Sequence, residues 1–240
     1  MSLTVAIHQP QYIPWLPYFD KMDHADIFIY LDDVEYSASG VQNRNQIKIA
    51  EGKRWLTVPV LHTPTRIIAD RQICQTYDWR TKHTRMIEGN YRKAAHFGLF
   101  DCGLKNIFEH DWKLLADLNI ATTEWLKTLL GIKCKTMRAS EIQHEGHKQD
   151  MVISICKALG ATDYYSGNGA RVFQDADTFY RNGIKLHYQD FTGVEYRQCW
   201  PKQGANGFIP DLSALDLVLN EGPHAREIML MGQEVRVAYG

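Results

Sequence analysis

The chain has no C-x-x-C pair, no stretch approaching the ~20 apolar residues of a membrane span, and no surplus of either charge. Each absence excludes something. Five widely separated cysteines (Cys74, Cys102, Cys134, Cys156 and Cys199) fit reduced thiols, so neither a disulfide framework nor a structural zinc site is expected, and no metal is assigned. Lys+Arg 27 against Asp+Glu 28 leaves a formal net charge of -1, which removes the bulk positive field that gathers nucleic acid by its backbone. The opening MSLTVAIHQPQ carries no basic segment followed by an apolar run of secretory length; the expectation is a cytoplasmic protein without membrane insertion. Repeats, low-complexity tracts and linkers are also missing, so 240 residues at 45% hydrophobic read as one domain over 1–240.

Strand and helix patterns alternate along this domain. Residues 3–8, LTVAIH, form a β-branched apolar run stopped by Gln9-Pro10, so a buried strand ends near His8. Residues 15–26 place Trp15, Leu16, Phe19 and Met22 at helical spacing behind Pro14 and Pro17, and residues 25–31 form a second strand closed by Asp32-Asp33. This order predicts a parallel βαβ unit, with His8 and Asp32-Asp33 on the carboxyl edge where open α/β sheets hold ligands. Residues 44–50 and 54–61 read as a hairpin around Glu51-Gly52-Lys53. The stretch 79–130 predicts two or three helices broken near Gly98 and Gly103. A strand at 133–137, a helix at 148–159 ended by Gly160 and a strand through Tyr164-Tyr165 follow. Residues 184–190 alternate like a strand, 212–219 form a short helix capped by Asp211 or Ser213, and 233–239 is ambiguous between tail and strand. The expected fold class is α/β: a single compact domain with a mixed or mostly parallel sheet, an N-terminal βαβ unit and a helical segment around 79–130 that reads as an insertion.

The densest polar-aromatic segment is His8-Gln9-Pro10-Gln11-Tyr12-Ile13-Pro14-Trp15, where repeated prolines fix the path of a loop beside a strand end. Its aromatic residues serve equally well as anchors to the core. Asp32-Asp33 either orients a histidine or binds a cation, or forms an Asx turn, and the sequence does not choose. In Gln42-Asn43-Arg44-Asn45-Gln46-Ile47-Lys48 the amides suit a sugar or base edge and the cations suit phosphate; a solvated strand face explains the same composition. His83 opens the helical region, either as a general base or as a structural imidazole. Ser166-Gly167-Asn168-Gly169-Ala170-Arg171 suits an anion cradle or a plain turn, without matching the P-loop or G-x-G-x-x-G patterns. Cys156 falls on an apolar helix face, and His144 with His147 lies in a loop.

Seven stretches in order carry a family resemblance: IHQPQYIPWLPYFDK (7–21), ADIFIYLDDVEYS (25–37), QNRNQIK (42–48), WLTVPV (55–60), YYSGNGARVF (164–173), IKLHYQDF (184–191) and FIPDLSALDLVLNEG (208–222). By these the sequence resembles the bacterial WbqC-like proteins. The resemblance implies a place in surface-polysaccharide (O-antigen) biosynthesis and an N-acyltransferase that passes a glycyl or similar acyl group to a nucleotide-linked amino sugar. The donor would be a thioester cosubstrate, on coenzyme A or an acyl carrier protein, with no bound cofactor. The family supplies no residue roles, so these come from local chemistry. His8 or His83 is the base, and Asp32 or Asp33 orients it or receives the amine. Arg44, Lys48 and the Gly167–Gly169 backbone hold phosphates, and Tyr12 or Trp15 stacks on a ring; Gln9, Gln11, Gln42, Asn43, Asn45, Ser166 and Asn168 complete the substrate-binding set. A nucleotidyltransferase or ATP-dependent ligase is the rival, weakened because the H-x-G-H pattern is absent where His8 is followed by Gln9, Pro10 and Gln11. A non-catalytic binding protein of the polysaccharide machinery is the third reading.

Overall fold

In the computed structural model, residues 2–62, 64–204 and 206–233 are described, together with the backbone of 235–237. Thr4–His8 is strand β1, and because Pro10 has no N–H to extend a ladder the chain leaves the sheet there. It enters helix α1 (Leu16–Asp23) with Pro17 in the first turn, where a missing N–H costs nothing. Strand β2 (Ile27–Tyr30) pairs in parallel with β1, completing the βαβ unit. Strands β3 (Arg44–Ile49) and β4 (Gly52–Thr57) form a separate antiparallel hairpin. Its pairing runs from Arg44↔Thr57 to Ile49↔Gly52, so Ala50-Glu51 makes the turn, one residue earlier than the glycine suggested, and Gly52 takes φ +129.

Helices α2 (Trp79–Tyr91), α3 (Lys105–Glu109) and α4 (Leu115–Leu129) fill the middle of the chain. Trp79, Ile87, Tyr91, Phe100, Phe108, Leu115 and Leu126 from this stretch share one core with Phe19, Phe28, Tyr30 and Leu217. The segment therefore contributes to the main core. The break after α2 covers residues 92–97, just before Gly98, where helical backbone resumes, whereas Gly103 sits inside a π-helical turn, Phe100–Leu104, that runs into α3. A Cβ on Gly103 would lie 2.0 Å from Trp125 Nε1, so this glycine permits close approach of α4 rather than breaking a helix.

Strand β5 (Lys135–Arg138), helix α5 (Gln149–Ala158), strand β6 (Asp163–Ser166), helix α6 (Ala176–Arg181) and strand β7 (Lys185–Gln189) complete the α/β alternation. Helices α7 (Ala214–Glu221) and α8 (Ala225–Met231) follow, then strand β8 (Val235–Val237). Ser213, not Asp211, caps α7 by accepting from Leu215 N at 3.2 Å. Of the ambiguous C-terminal segment, 235–237 is strand, while Glu234, Ala238 and Tyr239 lie outside the described residues. The sheet order is β5-β2-β1-β6-β7-β8, parallel throughout except for the β7–β8 pair. Period-2 alternation gives it two buried faces: Ala6 and Phe28 meet α1 and the helical core, while Val5, Ile7, Ile29 and Tyr164 pack on α5 and α6. No helix among the described residues is long and apolar enough to cross a membrane.

Candidate functional site

From β1 the chain steps to β2 and then β5 on one side, and after α5 it returns to β6 and β7 on the other. The gap between β1 and β6 is therefore where connections leave in opposite directions, the position at which open parallel sheets take ligands beyond their carboxyl ends. The pairing Ala6↔Tyr165 places His8 of β1 beside Gly167 after β6, so the loops at 8–18 and 166–171 meet at one edge. Between them stands Lys21. It reaches from α1 so that Nζ donates to Ile7 O at 2.9 Å, and it is 4% exposed. A Cβ on Gly167 would come within 3.8 Å of that ammonium. Burial lowers the Lys21 pKa from 10.5 to about 7, the neighbouring Asp20 carboxylate opposing the shift only in part. Lys21 is thus a titrating base at neutral pH.

His8 is half-buried, its ring 4.9 Å from that of Tyr18 and its Nδ1 3.2 Å from Gln9 O. That carbonyl only accepts, so Nδ1 carries the hydrogen and Nε2 has a free lone pair. Burial first, and then the charge of Lys21, push its pKa down to about 3. The ring is neutral at any physiological pH and makes a weaker proton acceptor than Lys21. Beside it, Gln42 Nε2 donates to Gln9 Oε1 at 2.8 Å, and Asn119 Nδ2 donates to Pro10 O at 3.2 Å and Gln42 O at 2.7 Å. The oxygens Gln11 Oε1, Gln42 Oε1 and Asn119 Oδ1 are buried with no partner among the described residues. Buried acceptors without donors are uncommon, and these three have capacity for a ligand's O–H or N–H groups.

Several residues singled out from the sequence belong elsewhere. His83 is 1% exposed among Trp79, Phe108 and Tyr12, with Nδ1 2.8 Å from Tyr12 Oη and a further hydrogen bond to the Thr57 backbone. Both ring nitrogens are occupied, and burial pushes the pKa down to about 4, so this imidazole is structural; Tyr12, with its hydroxyl in that pair, presents no face for stacking. Asp32 is fully buried and accepts from Ser140 N at 3.1 Å and Ser140 Oγ at 3.0 Å, which makes it a turn brace and not the partner of His8. Asp33 Oδ2 lies 3.1 Å from His144 Nε2, so it too points away from His8; burial raises its pKa and the charge of His144 opposes this. Asn43 holds Val58 O at 2.9 Å, and Asn45 holds Ile13 O at 2.9 Å, securing a non-glycine residue at φ 37. Arg44 is spent on Gly40 O and Ser39 O and stacks 4.8 Å over Trp55. Lys48 is buried with Nζ on Gly207 O, facing Asp216, so it does not join Arg44 in a phosphate grip.

Residues 168–173 form a short 3₁₀ segment in which Asn168 and Gly169 are exposed. Neither Gly167 nor Gly169 has a positive φ, so no glycine nest is built there. Ser166 is buried and donates to Gln174 Oε1 at 2.9 Å. Trp15 is 37% exposed at the entry to α1 and retains a free surface. Cys156 faces the α5 core as expected, its thiol pushed up to about 12 by burial. The sequence does not single out Lys21, since Leu16, Tyr18, Phe19 and Met22 leave the side of α1 that carries Asp20 and Lys21 polar, and only the packed structure buries it. Nor does it single out Asn119, which is buried on α4, 77 residues from its partner Gln42.

Comparison with known proteins adds two matches. The family model for the WbqC-like protein family matches residues 9–228. The Mycobacterium tuberculosis protein named "Uncharacterized protein Rv1507c" is 33% identical over 232 residues, covering 94% of this chain and 96% of its own length. No solved structure matches significantly.

Proposed function

Because the chain belongs to the WbqC-like protein family, whose resemblance implies surface-polysaccharide biosynthesis, we propose that it is an N-acyltransferase for a nucleotide-linked amino sugar. The observation that carries this reading is Lys21, a buried amine with a pKa of about 7 placed between the ends of β1 and β6 at the switch point. Transfer from a thioester needs little activation of the donor and much positioning of the amine, together with a base that takes the proton released on attack. The sugar nitrogen attacks the thioester carbonyl carbon, a C–N bond forms and the C–S bond breaks. Neutral Lys21 receives the ammonium proton and returns it to the departing thiolate. The base role passes from His8 to Lys21; His8 Nε2 accepts a hydrogen bond from the sugar. Gln11 Oε1, Gln42 Oε1 and Asn119 Oδ1 accept from its hydroxyls, and Trp15 offers a ring face.

The test is the purified protein incubated with a nucleotide-linked amino sugar and an acyl thioester, read by mass spectrometry. A mass gain of one acyl group without ATP, lost in Lys21→Met, is the expected result. Product that appears only with ATP and releases AMP or ADP would replace this reading with ligation, and no product under either condition would leave the binding-protein reading in its place.

A further inference from the structure

A cavity of about 880 Å³ lies apart from the switch point, between the end of α2, the segment 197–201 and the end of α7. None of the site residues singled out from the sequence lines it. Arg92, Lys93 and Arg197 stand exposed around it, and none of these side chains has a hydrogen bond or ion pair among the described residues. Glu221 is the one carboxylate among the lining residues, so the mouth is cationic on a chain whose overall formal charge is -1. Its walls are fixed. Trp200 lines the cavity with its indole Nε1–H donating to Asn90 O at 3.1 Å, which pins the ring plane. His96 is held by its backbone bond to Leu219 O at 3.0 Å, with its ring packed over Gly222, where a Cβ would lie 2.4 Å away.

Three unpaired cations around a rigid aromatic wall, in a volume within the ordinary range for small-molecule sites, specify a ligand with several negative charges and a planar ring. We propose that this cavity binds a nucleoside diphosphate group, with Arg92, Lys93 and Arg197 on the phosphates and the base against Trp200. Both a nucleotide sugar and coenzyme A carry such a group. The inference stands on the cavity's own geometry and does not depend on the acyl-transfer reading.

Isothermal titration of the whole protein with UDP, ADP, coenzyme A and uridine tests it. At least one diphosphate should bind one to one, with uridine at least tenfold weaker, and the double variant Arg92→Gln/Arg197→Gln should weaken diphosphate binding at least tenfold with an unchanged melting temperature. Both residues are exposed, so the variant retains the fold. Trp200→Phe should weaken binding less. Competition between a UDP-sugar and coenzyme A identifies the source, since the tighter competitor is the natural one. Failure of all three diphosphates to bind would overturn the proposal. So would diphosphate binding that survives the double variant and disappears in Lys21→Met, because that result puts the nucleotide at the switch point.

Discussion

Replacing Lys21 by methionine keeps an unbranched apolar stem and removes the ammonium, which separates what this side chain does for the fold from what it does for a reaction. In the native protein the pKa falls from 10.5 to about 7 because burial penalises the charged form. At ~1.4 kcal/mol per pH unit, this depression corresponds to roughly 5 kcal/mol of stability missing at pH 7. The sign follows from proton counts. Between pH 10.5 and 7 the unfolded chain holds a proton on Lys21 that the folded chain lacks, so the penalty grows as pH falls through that window and is constant below it. Methionine removes the penalty but leaves Ile7 O without its donor, a loss of about 1–3 kcal/mol. The variant should gain about 2 kcal/mol at pH 7 and lose that advantage by pH 10, while the proposed acyl transfer disappears. Urea unfolding followed by circular dichroism at the two pH values measures the difference. A variant less stable than the natural protein by the same amount at both would refute the reasoning, because Lys21 would then be a charged group fully compensated in its site.

Three other changes probe the frame around that lysine. His83→Phe keeps the aromatic packing and removes a neutral buried imidazole whose pKa is pushed down to about 4, so the natural protein loses stability as pH falls from 6.5 and the variant lacks this loss, roughly 3 kcal/mol by pH 4. Thermal unfolding at pH 7 and 4.5 measures it, and equal acid sensitivity of the two proteins counts against a neutral His83. Asn45→Ala releases Ile13 O and the φ 37 turn, and should cost about 1–2 kcal/mol in urea unfolding together with a raised KM for the proposed sugar substrate; an unchanged KM would show that the loop keeps its path unaided. Gly103→Ala drives a Cβ into Trp125 and should cost about 1–3 kcal/mol, largely recovered when Trp125→Leu is added; a double variant equal to the sum of the singles would remove that contact as the cause.

The parallel frame was readable because its strands are short β-branched runs with sharp ends: 3–8 stops at a proline and 25–31 at two aspartates, and both are strands. The fate of Asp32 and Asp33 was not readable, since Ser140 and His144, which occupy them, lie more than 100 residues away in sequence. Gly103 misled because a helix-breaking glycine and a glycine that admits an indole look alike until the indole is placed. His83 could not be sorted from His8 by residue type, and only the enclosure by Trp79 and Phe108 separates them. Lys21 was not readable, because in LPYFDKMD it sits among Asp20 and Asp23 like an ordinary polar face, and only the packed structure buries it. Nor was the cationic cavity, because its walls come from three segments that share no motif.

The loop that follows β1 is tied down by residues remote from it in sequence: Asn45 holds Ile13 O, Asn119 holds Pro10 O, His83 holds Tyr12, and Ala214 N donates to Pro14 O. Closing such long stretches of chain costs entropy before any of these bonds can form, so the full set of ties is complete only once α7 has docked. A chain that ends before α7 would carry the strands of the βαβ unit and lack the tie at Pro14 O. The last tie to this loop therefore arrives with about the last eighth of the polypeptide, and a truncation before α7 should leave parallel strands with the loop loosened at Pro14.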